Sequence, residues 1–206
     1  MAKDWYRNKT WNDAVECSFN EHLGRARRKE QYLRIQACTL ATSHPLVALQ
    51  LLDRYFALPD DFDHAQAHVD RATAYIALQR VPEAINAYEA ALSREAAFPK
   101  LKTQAYLDLP YLIATLRLRD SYDRAASLLN EHQDRLMFPV DRFRWHVSHA
   151  LIASDQGRAS AASSHAAKAL EAAGQDQSGF RYHPSVGLVT EKYDGILKRV
   201  RALRAA

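Results

Sequence analysis

Histidines spaced four residues apart are the first candidates for metal chemistry. His64 and His68 follow Asp60, Asp61 and Asp63, and this spacing places two imidazoles side by side on one helix face, as a Zn²⁺ site with a nearby carboxylate requires. The same aspartates suit the start of a helix, where carboxylates cap free N–H groups and offset the helix dipole. Because no glutamate stands between the histidines as in a metalloprotease motif, we predict a helix start, with His68 at a packing position, and no metal site.

Two further sets of residues could support nucleophilic catalysis. The first set is His146 and His149, which follow Trp145. The second set is Cys17 and Cys38, the two cysteines of the chain. A cysteine beside a histidine could form a nucleophile and base pair, but no glycine-rich elbow, phosphate loop or dinucleotide fingerprint accompanies them. We therefore predict that the chain is not an enzyme, binds no cofactor, carries two reduced thiols and buries His146 and His149 as a hydrogen-bonded pair.

Two basic runs could contact phosphates. The chain has 28 basic and 24 acidic residues, a formal charge of +4, and thus a mixed surface rather than a polycation. Glu30 interrupts the first run and no aromatic residue interleaves either, so a solvated face is the ordinary interpretation, and a nucleic-acid-associated helical regulator stays open as the alternative function. The runs are Arg25, Arg27, Arg28 and Lys29, and Lys198, Arg199, Arg201 and Arg204.

Composition favours helices as the elements that position these residues. Only 6 glycines and 7 prolines occur among 206 residues that are 48% hydrophobic, which leaves little material for the tight turns of an all-β fold. We predict an all-α protein. No run of eighteen apolar residues could span a membrane, and the charged N-terminal residues do not form a signal peptide. The expected location is therefore the cytoplasm, without a membrane partner.

The order of the elements follows from caps, prolines and apolar spacing. Residues 1–28 are predicted to form a lead-in and a capping helix with Thr10 as its N-cap. Residues 29–174 form an array of helical hairpins, in which Pro45 and Pro82 begin second helices. Residues 175–206 contain a loop and a C-terminal capping helix with an apolar and a basic face. The loop could fold back against the last hairpin or lie in a groove as a built-in ligand.

A repeat runs through the central array. Ala48, Ala84, Ala125 and Ala162 follow one another at 36, 41 and 37 residues, so about five residues have been inserted in the third unit. We expect a longer or kinked helix near Pro99–Pro110 to accommodate them. Further small and aromatic residues stand at the offsets where two helices cross; they are Ala72, Tyr75, Tyr88, Ala91, Gly157, Ala166 and Ala169.

With these offsets, residues 29–173 resemble an array of tetratricopeptide repeats. The resemblance implies a right-handed α-solenoid of about four hairpins with capping helices at both ends. The tryptophan usual near the start of each repeat is absent, and Tyr32, His68, Leu109 and His146 take its place. A different helical hairpin repeat, or a mixed α-solenoid, stays open at this point.

The resemblance further implies a concave groove lined by the first helix of each hairpin, in which a peptide or a partner's helix binds. The chain would then be a non-enzymatic protein-binding scaffold, a monomer or a homodimer. Asparagine is absent from the groove positions, so we do not predict the clamp by which family members grip the acidic tails of heat-shock chaperones. The predicted partner-binding residues are Arg34, Ala37, Leu40, Val69, Asp70, Thr73, Ile76, Tyr111, Arg117, Arg144, Val147 and Leu151.

Overall fold

A computed structural model describes residues 4–59 and 62–205 of the chain. Across these ranges every regular element is helical and no strand occurs, so the all-α prediction is confirmed. None of the described helices combines the length and the apolarity needed to cross a membrane. The α-helices are α1 Asp13–Arg25, α2 Lys29–Leu40, α3 Pro45–Phe56, α4 His64–Ala77, α5 Val81–Ala97, α6 Ala105–Leu116, α7 Tyr122–Glu131, α8 Pro139–Asp155, α9 Ala159–Ala173 and α10 Asp194–Ala205.

The chain divides into two compact units, unit 1 (Met1–Ala105) and unit 2 (Tyr106–Ala206). The boundary falls in the first turn of α6, inside the predicted repeat array. Unit 1 therefore holds α1 to α5, and unit 2 holds α6 to α10.

In unit 1, α2 packs against α3 and α4 against α5. Alanines at the crossings, including Ala48 and Ala84, are fully buried, because only small side chains let two helices approach so closely. Phe19 and Leu23 of α1 are buried in the same core as the apolar faces of α2 and α3. α1 is thus packed against the hairpin of α2 and α3.

In unit 2, α8 packs against α9, and α10 packs against both of them. α9 presents a stripe of buried alanines to these neighbours, among them Ala162, Ala166 and Ala169. The loop before α10 lies against the start of α8: the Phe180 ring stacks on Phe138 at 5.1 Å between centroids, and the Val140 N–H donates to the Gly187 carbonyl at 2.8 Å.

Three of the described helices, α4, α6 and α8, end in the same kind of turn. A residue with a positive φ lies within two positions of the end of each helix. These residues are Gln79 at 59°, Arg117 at 57° and Gly157 at 74°. In each case the next N–H donates to the carbonyl five residues earlier, a 6→1 bond that closes a helix end. The bonds are Arg80 N to Tyr75 O, Leu118 N to Ile113 O and Arg158 N to Ala153 O, at 2.9, 3.0 and 2.8 Å. The ends of α4, α6 and α8 therefore share one backbone geometry.

Two predicted details of the helices are corrected. The N-cap of α1 is Asn12 and not Thr10, since the Asn12 side chain accepts from the Val15 N–H at 3.0 Å. The inserted residues lie in α5, which has 17 residues where α3 has 12, and not after Pro99. Pro110 is inside α6, a helix of 12 residues that is no longer than its counterparts.

Candidate functional site

In unit 1, an arginine on α2 joins the first helices of two successive hairpins. Arg34 Nε donates to Asp63 Oδ2 at 3.1 Å, just before α4, and its Nη1 donates to Asp70 Oδ2 at 3.2 Å, within α4. The Arg34 side chain is 18% exposed and that of Asp70 is 4% exposed. The guanidinium is therefore already neutralised by the chain itself at the face where a partner was predicted to bind. We call this surface of α2 and α4 the unit 1 face.

The surroundings of Asp70 are polar. Gln66 Nε2 donates to Asp70 Oδ1 at 3.2 Å. Burial raises the pKa of Asp70, while the bonds from Gln66 and Arg34 act in the opposite direction. Desolvation of the thiol and the neighbouring Asp70 carboxylate together raise the pKa of Cys38 to about 11, although the residue as a whole is exposed. The thiol is therefore protonated at neutral pH and lacks the thiolate character that a nucleophile needs.

In unit 2, the corresponding helices carry the same kind of bridge. Arg144 Nη2 on α8 donates to Asp108 Oδ1 on α6 at 2.6 Å. The guanidinium also lies over the Tyr111 ring, 4.8 Å from its centroid, where the ring quadrupole attracts a cation. Burial raises the pKa of Tyr111 to about 12. Two predicted groove residues, Tyr111 and Arg144, thus contact each other. We call this surface of α6 and α8 the unit 2 face.

The chain's own C-terminal segment packs on the unit 2 face. Tyr193, which is 9% exposed, makes edge contacts with Phe143 at 5.2 Å and with Tyr111 at 6.3 Å between centroids. Farther along α10, Arg199 Nη1 donates to the Thr115 carbonyl near the end of α6 at 3.2 Å. This segment therefore spans the first helices of both hairpins in unit 2, which is the place the sequence assigned to a bound ligand.

The predicted partner-binding residues differ widely in accessibility. Those that are buried are Ala37, Leu40, Val69, Asp70, Val147 and Leu151. Ala37, Leu40 and Val147 have no exposed surface and belong to the core, so they cannot contact a partner unless the helices separate. The half-buried ones are Arg34, Thr73, Tyr111 and Arg144, and the exposed ones are Ile76 and Arg117. Arg117 occupies the positive-φ turn after α6 instead of a groove wall.

Three histidines of unit 2 form a cluster beside Trp145. His146 Nδ1 lies 3.0 Å from His165 Nδ1, and the His149 ring stacks on His165 at 4.8 Å and lies tilted against Trp145 at 4.1 Å. The predicted pairing of His146 with His149 is therefore wrong: α9 supplies the hydrogen-bond partner, His165. Burial and the neighbouring imidazoles lower the pKa of His146 and His149 to about 4, so both rings are neutral at pH 7.

The histidines of α4 pack as aromatic rings. His64 and His68 lie 5.1 and 4.6 Å from the Phe56 centroid. Burial and the Arg71 guanidinium lower the pKa of His68 to about 4. Among the described residues, no three histidine, cysteine or acidic side chains are grouped so that they could hold a metal ion. Asp60 and Asp61, which the metal hypothesis also invoked, lie outside the described residues.

A regular spacing of opposite charges carries information that sequence reasoning missed. Arg34 and Asp70, like Asp108 and Arg144, are 36 residues apart, close to one repeat length. The same separation joins Arg119 Nε to Asp155 Oδ2 at 2.6 Å. A search for opposite charges one repeat apart would have found all three pairs. No such signal points to Tyr193, whose partners lie at unrelated separations.

No protein-family model matches this chain, and neither a curated protein nor a solved structure is significantly similar to it.

Proposed function

We propose that the chain is a non-enzymatic interaction scaffold of tetratricopeptide-like hairpins that binds a peptide or a partner's helix across α2 and α4. One observation carries the proposal: the segment that includes Tyr193 and α10 lies across α6 and α8 of unit 2. A face built from two such helices therefore accepts a further segment of chain, and within the described residues the unit 1 face is built in the same way.

The unit 1 face offers both polar and apolar contacts. Asp70, Thr73 and Ile76 are spaced by three along α4, so they follow one side of the helix. Asp70 is held by Arg34, Thr73 is half-buried, and Ile76 is 37% exposed. A matching partner would place an apolar side chain against Ile76 and a polar group beside the Arg34 bridge.

The cysteine beside the Arg34 bridge is not an activated nucleophile. Cys38 is the reactive residue type nearest to the Arg34 bridge, and its pKa of about 11 keeps the thiol protonated. Protonated thiols react slowly, because the thiolate is the nucleophile.

The alternative, a nucleic-acid-associated regulator, rests on the exposed basic run Arg25, Arg27, Arg28 and Lys29. All four residues are exposed. The second run contributes less than its sequence indicates, because Arg199 donates to the Thr115 carbonyl. Binding through phosphates would weaken steeply as salt rises, whereas binding at Ile76 would change little.

The test is capture of partners from the native host, with tagged wild-type protein and two variants. Ile76→Glu places a charge on the unit 1 face. Leu46→Glu makes the same change at an exposed apolar residue of α3, 63% exposed, and is the matched control. Each capture is run at low and at high salt, with and without nuclease.

We expect a stoichiometric protein that survives high salt and nuclease, is retained by Leu46→Glu and is lost with Ile76→Glu. Recovery of nucleic acid alone, lost at high salt, would replace the scaffold with the alternative. Equal capture by both variants would show that the partner binds elsewhere.

A further inference from the structure

A cavity of unit 1 lies where the end of α1, the start of α2 and the end of α3 meet. Its volume is about 530 Å³, within the roughly 300–1,000 Å³ of sites that bind small molecules. The lining residues are Asn20, Leu23, Gly24, Lys29, Leu33, Arg54 and Leu58.

The cavity has an apolar floor and a cationic rim. Leu23 and Leu33 are buried and Leu58 is half-buried, so their side chains form the floor. Lys29 and Arg54 stand at the rim, and Arg54 Nη2 donates to Asn20 Oδ1 at 3.0 Å, which holds the guanidinium in place. No acidic side chain is among the described residues that line the cavity.

The surroundings add to the positive potential at the rim. Arg25, Arg27 and Arg28 occupy the end of α1 and the short connection to α2, and all three are exposed. Within the described part of the chain, no ion pair neutralises any of them, nor Lys29 or Arg54. Clustered cations beside a low-dielectric wall raise the local concentration of anions.

We propose that this cavity binds a small amphipathic anion, with a carboxylate or phosphate between Lys29 and Arg54 and a short apolar chain on the leucine floor. Charge-assisted hydrogen bonds to the two cations would hold the head group. Each methylene buried on the leucines would tighten binding about fourfold, because a buried methylene is worth about 0.8 kcal/mol. The site is separate from the unit 1 face, so the proposal stands or falls independently of the scaffold function.

The test is calorimetric titration of the purified chain with five probes, and the amide signal of Gly24 in ¹⁵N-labelled protein reports where they bind. Octanoate and octyl phosphate carry both parts of the ligand. Octanol carries only the chain, and acetate and inorganic phosphate carry only the charge. We expect one or both of the first two to bind, octanol at least tenfold more weakly, and the two small anions not detectably. The ranking of octanoate against octyl phosphate tells which head group the rim prefers.

Two variants locate the site and one controls for charge. Gly24 lines the cavity, and a Cβ added there meets no atom within 4 Å outside its chain neighbours and its own helix backbone. The added bulk of Gly24→Leu at this lining position should weaken binding at least tenfold. Lys29→Gln removes one rim cation at an exposed position and should weaken the binding of octanoate several-fold. Arg201→Gln, on α10, removes the same charge elsewhere and should have no effect.

Octanol binding as tightly as octanoate would overturn the proposal, as would unchanged affinity in both Gly24→Leu and Lys29→Gln. Circular dichroism checks that Gly24→Leu folds; if it does not, Lys29→Gln against Arg201→Gln decides.

Discussion

The two units build the same bridge with opposite polarity. In unit 1 the arginine, Arg34, stands on the first of the two helices and Asp70 on the second; in unit 2 Asp108 comes first and Arg144 second. The separation is 36 residues in both. An ion pair is attractive in either orientation, so the geometry of the repeat preserves the bridge while the residue types exchange places.

The surroundings of the two bridges differ more than the bridges themselves. Gln66 and a second aspartate, Asp63, accompany the bridge of unit 1, whereas Tyr111 and Tyr193 accompany that of unit 2. One face is polar and the other is aromatic and covered by its own chain. The two bridges are about equally enclosed, with the Arg34 side chain 18% and the Arg144 side chain 15% exposed, so the units differ in what surrounds the bridge and not in how deeply it is buried.

The largest expected effect comes from removing the Tyr193 ring, which packs on Tyr111 and Phe143 in unit 2. Tyr193→Ala should destabilise the protein by about 3 kcal/mol, because it removes a buried ring from between Tyr111 and Phe143 and leaves a cavity. Tyr182→Ala is the control: that ring is 80% exposed, and its loss should change stability by less than about 0.5 kcal/mol. Urea denaturation measures both. Similar losses in the two variants would mean that Tyr193 does not close the unit 2 face.

Removing one acid from each bridge should sharpen the comparison. Asp108→Ala leaves the Arg144 guanidinium with no carboxylate from α6 and should cost about 2–3 kcal/mol. Asp70→Ala should cost only about 1–2 kcal/mol, because Asp63 still neutralises Arg34 and because burial already penalises the ionised Asp70 carboxyl.

Unfolding in urea at pH 7 gives both values. The exchange variant Asp108→Arg with Arg144→Asp should regain part of the loss, since it recreates the polarity of unit 1. Equal losses for Asp70→Ala and Asp108→Ala would contradict the compensating role of Asp63.

Acidification should destabilise unit 2 before unit 1. The lowered pKa values mean that the folded state favours neutral imidazoles, so stability is complete above about pH 6.5 and falls as the pH drops toward about 4. Each of His68, His146 and His149 should cost about 1 kcal/mol at pH 5, after allowance for solvent screening. Unit 2 holds His146 and His149, together with His165, whose pKa burial also lowers, whereas unit 1 holds His68.

Hydrogen exchange of amides in α8 and α4, measured from pH 7 to pH 5, tests this difference. His165→Phe should reduce the loss of protection in α8, because it removes one titrating ring while it retains an aromatic stack. Parallel loss of protection in both helices would contradict the prediction.

The smallest expected effects concern the positive-φ turns. Gly157→Ala should cost about 1 kcal/mol, since a Cβ is strained at a φ of 74°. Gln79→Gly should stabilise the equivalent turn of unit 1 by at most about 0.5 kcal/mol, because relief of strain is offset by greater freedom of the unfolded chain. Thermal unfolding resolves the two signs, and a stabilising Gly157→Ala would show that the turns are not equivalent.

The helices could be predicted because their signals are local. Pro45 begins α3, and the alanines at the crossings recur at nearly constant spacing, so small side chains mark the hairpins without any knowledge of their packing. The position of the inserted residues could not be predicted from the sequence. A spacing of 41 residues between Ala84 and Ala125 says that residues were added, but helical residues at the end of α5 and loop residues after Pro99 fill that spacing equally well.

The bridges and the cover depend on tertiary geometry. Arg34 was predicted to hold a partner, and it is paired with two aspartates, because a residue's sequence neighbours do not show which acid the next hairpin brings to it. Thr10 and Asn12 are both good caps, and the residue types alone do not choose between them. The position of Tyr193 follows no repeat offset at all.

Because Tyr193 follows α6 and α8 in the chain, it is synthesised after the helices that it packs against. Tyr193 follows Tyr111 by about 80 residues, and at about 5–20 residues per second a ribosome needs roughly 4–16 s to make that stretch. For those seconds α6, and then α8, exist without the ring that shields them. The nascent chain therefore shows other molecules an aromatic surface that the finished protein conceals, and this interval is when misassembly, or help from a chaperone, has its best opportunity.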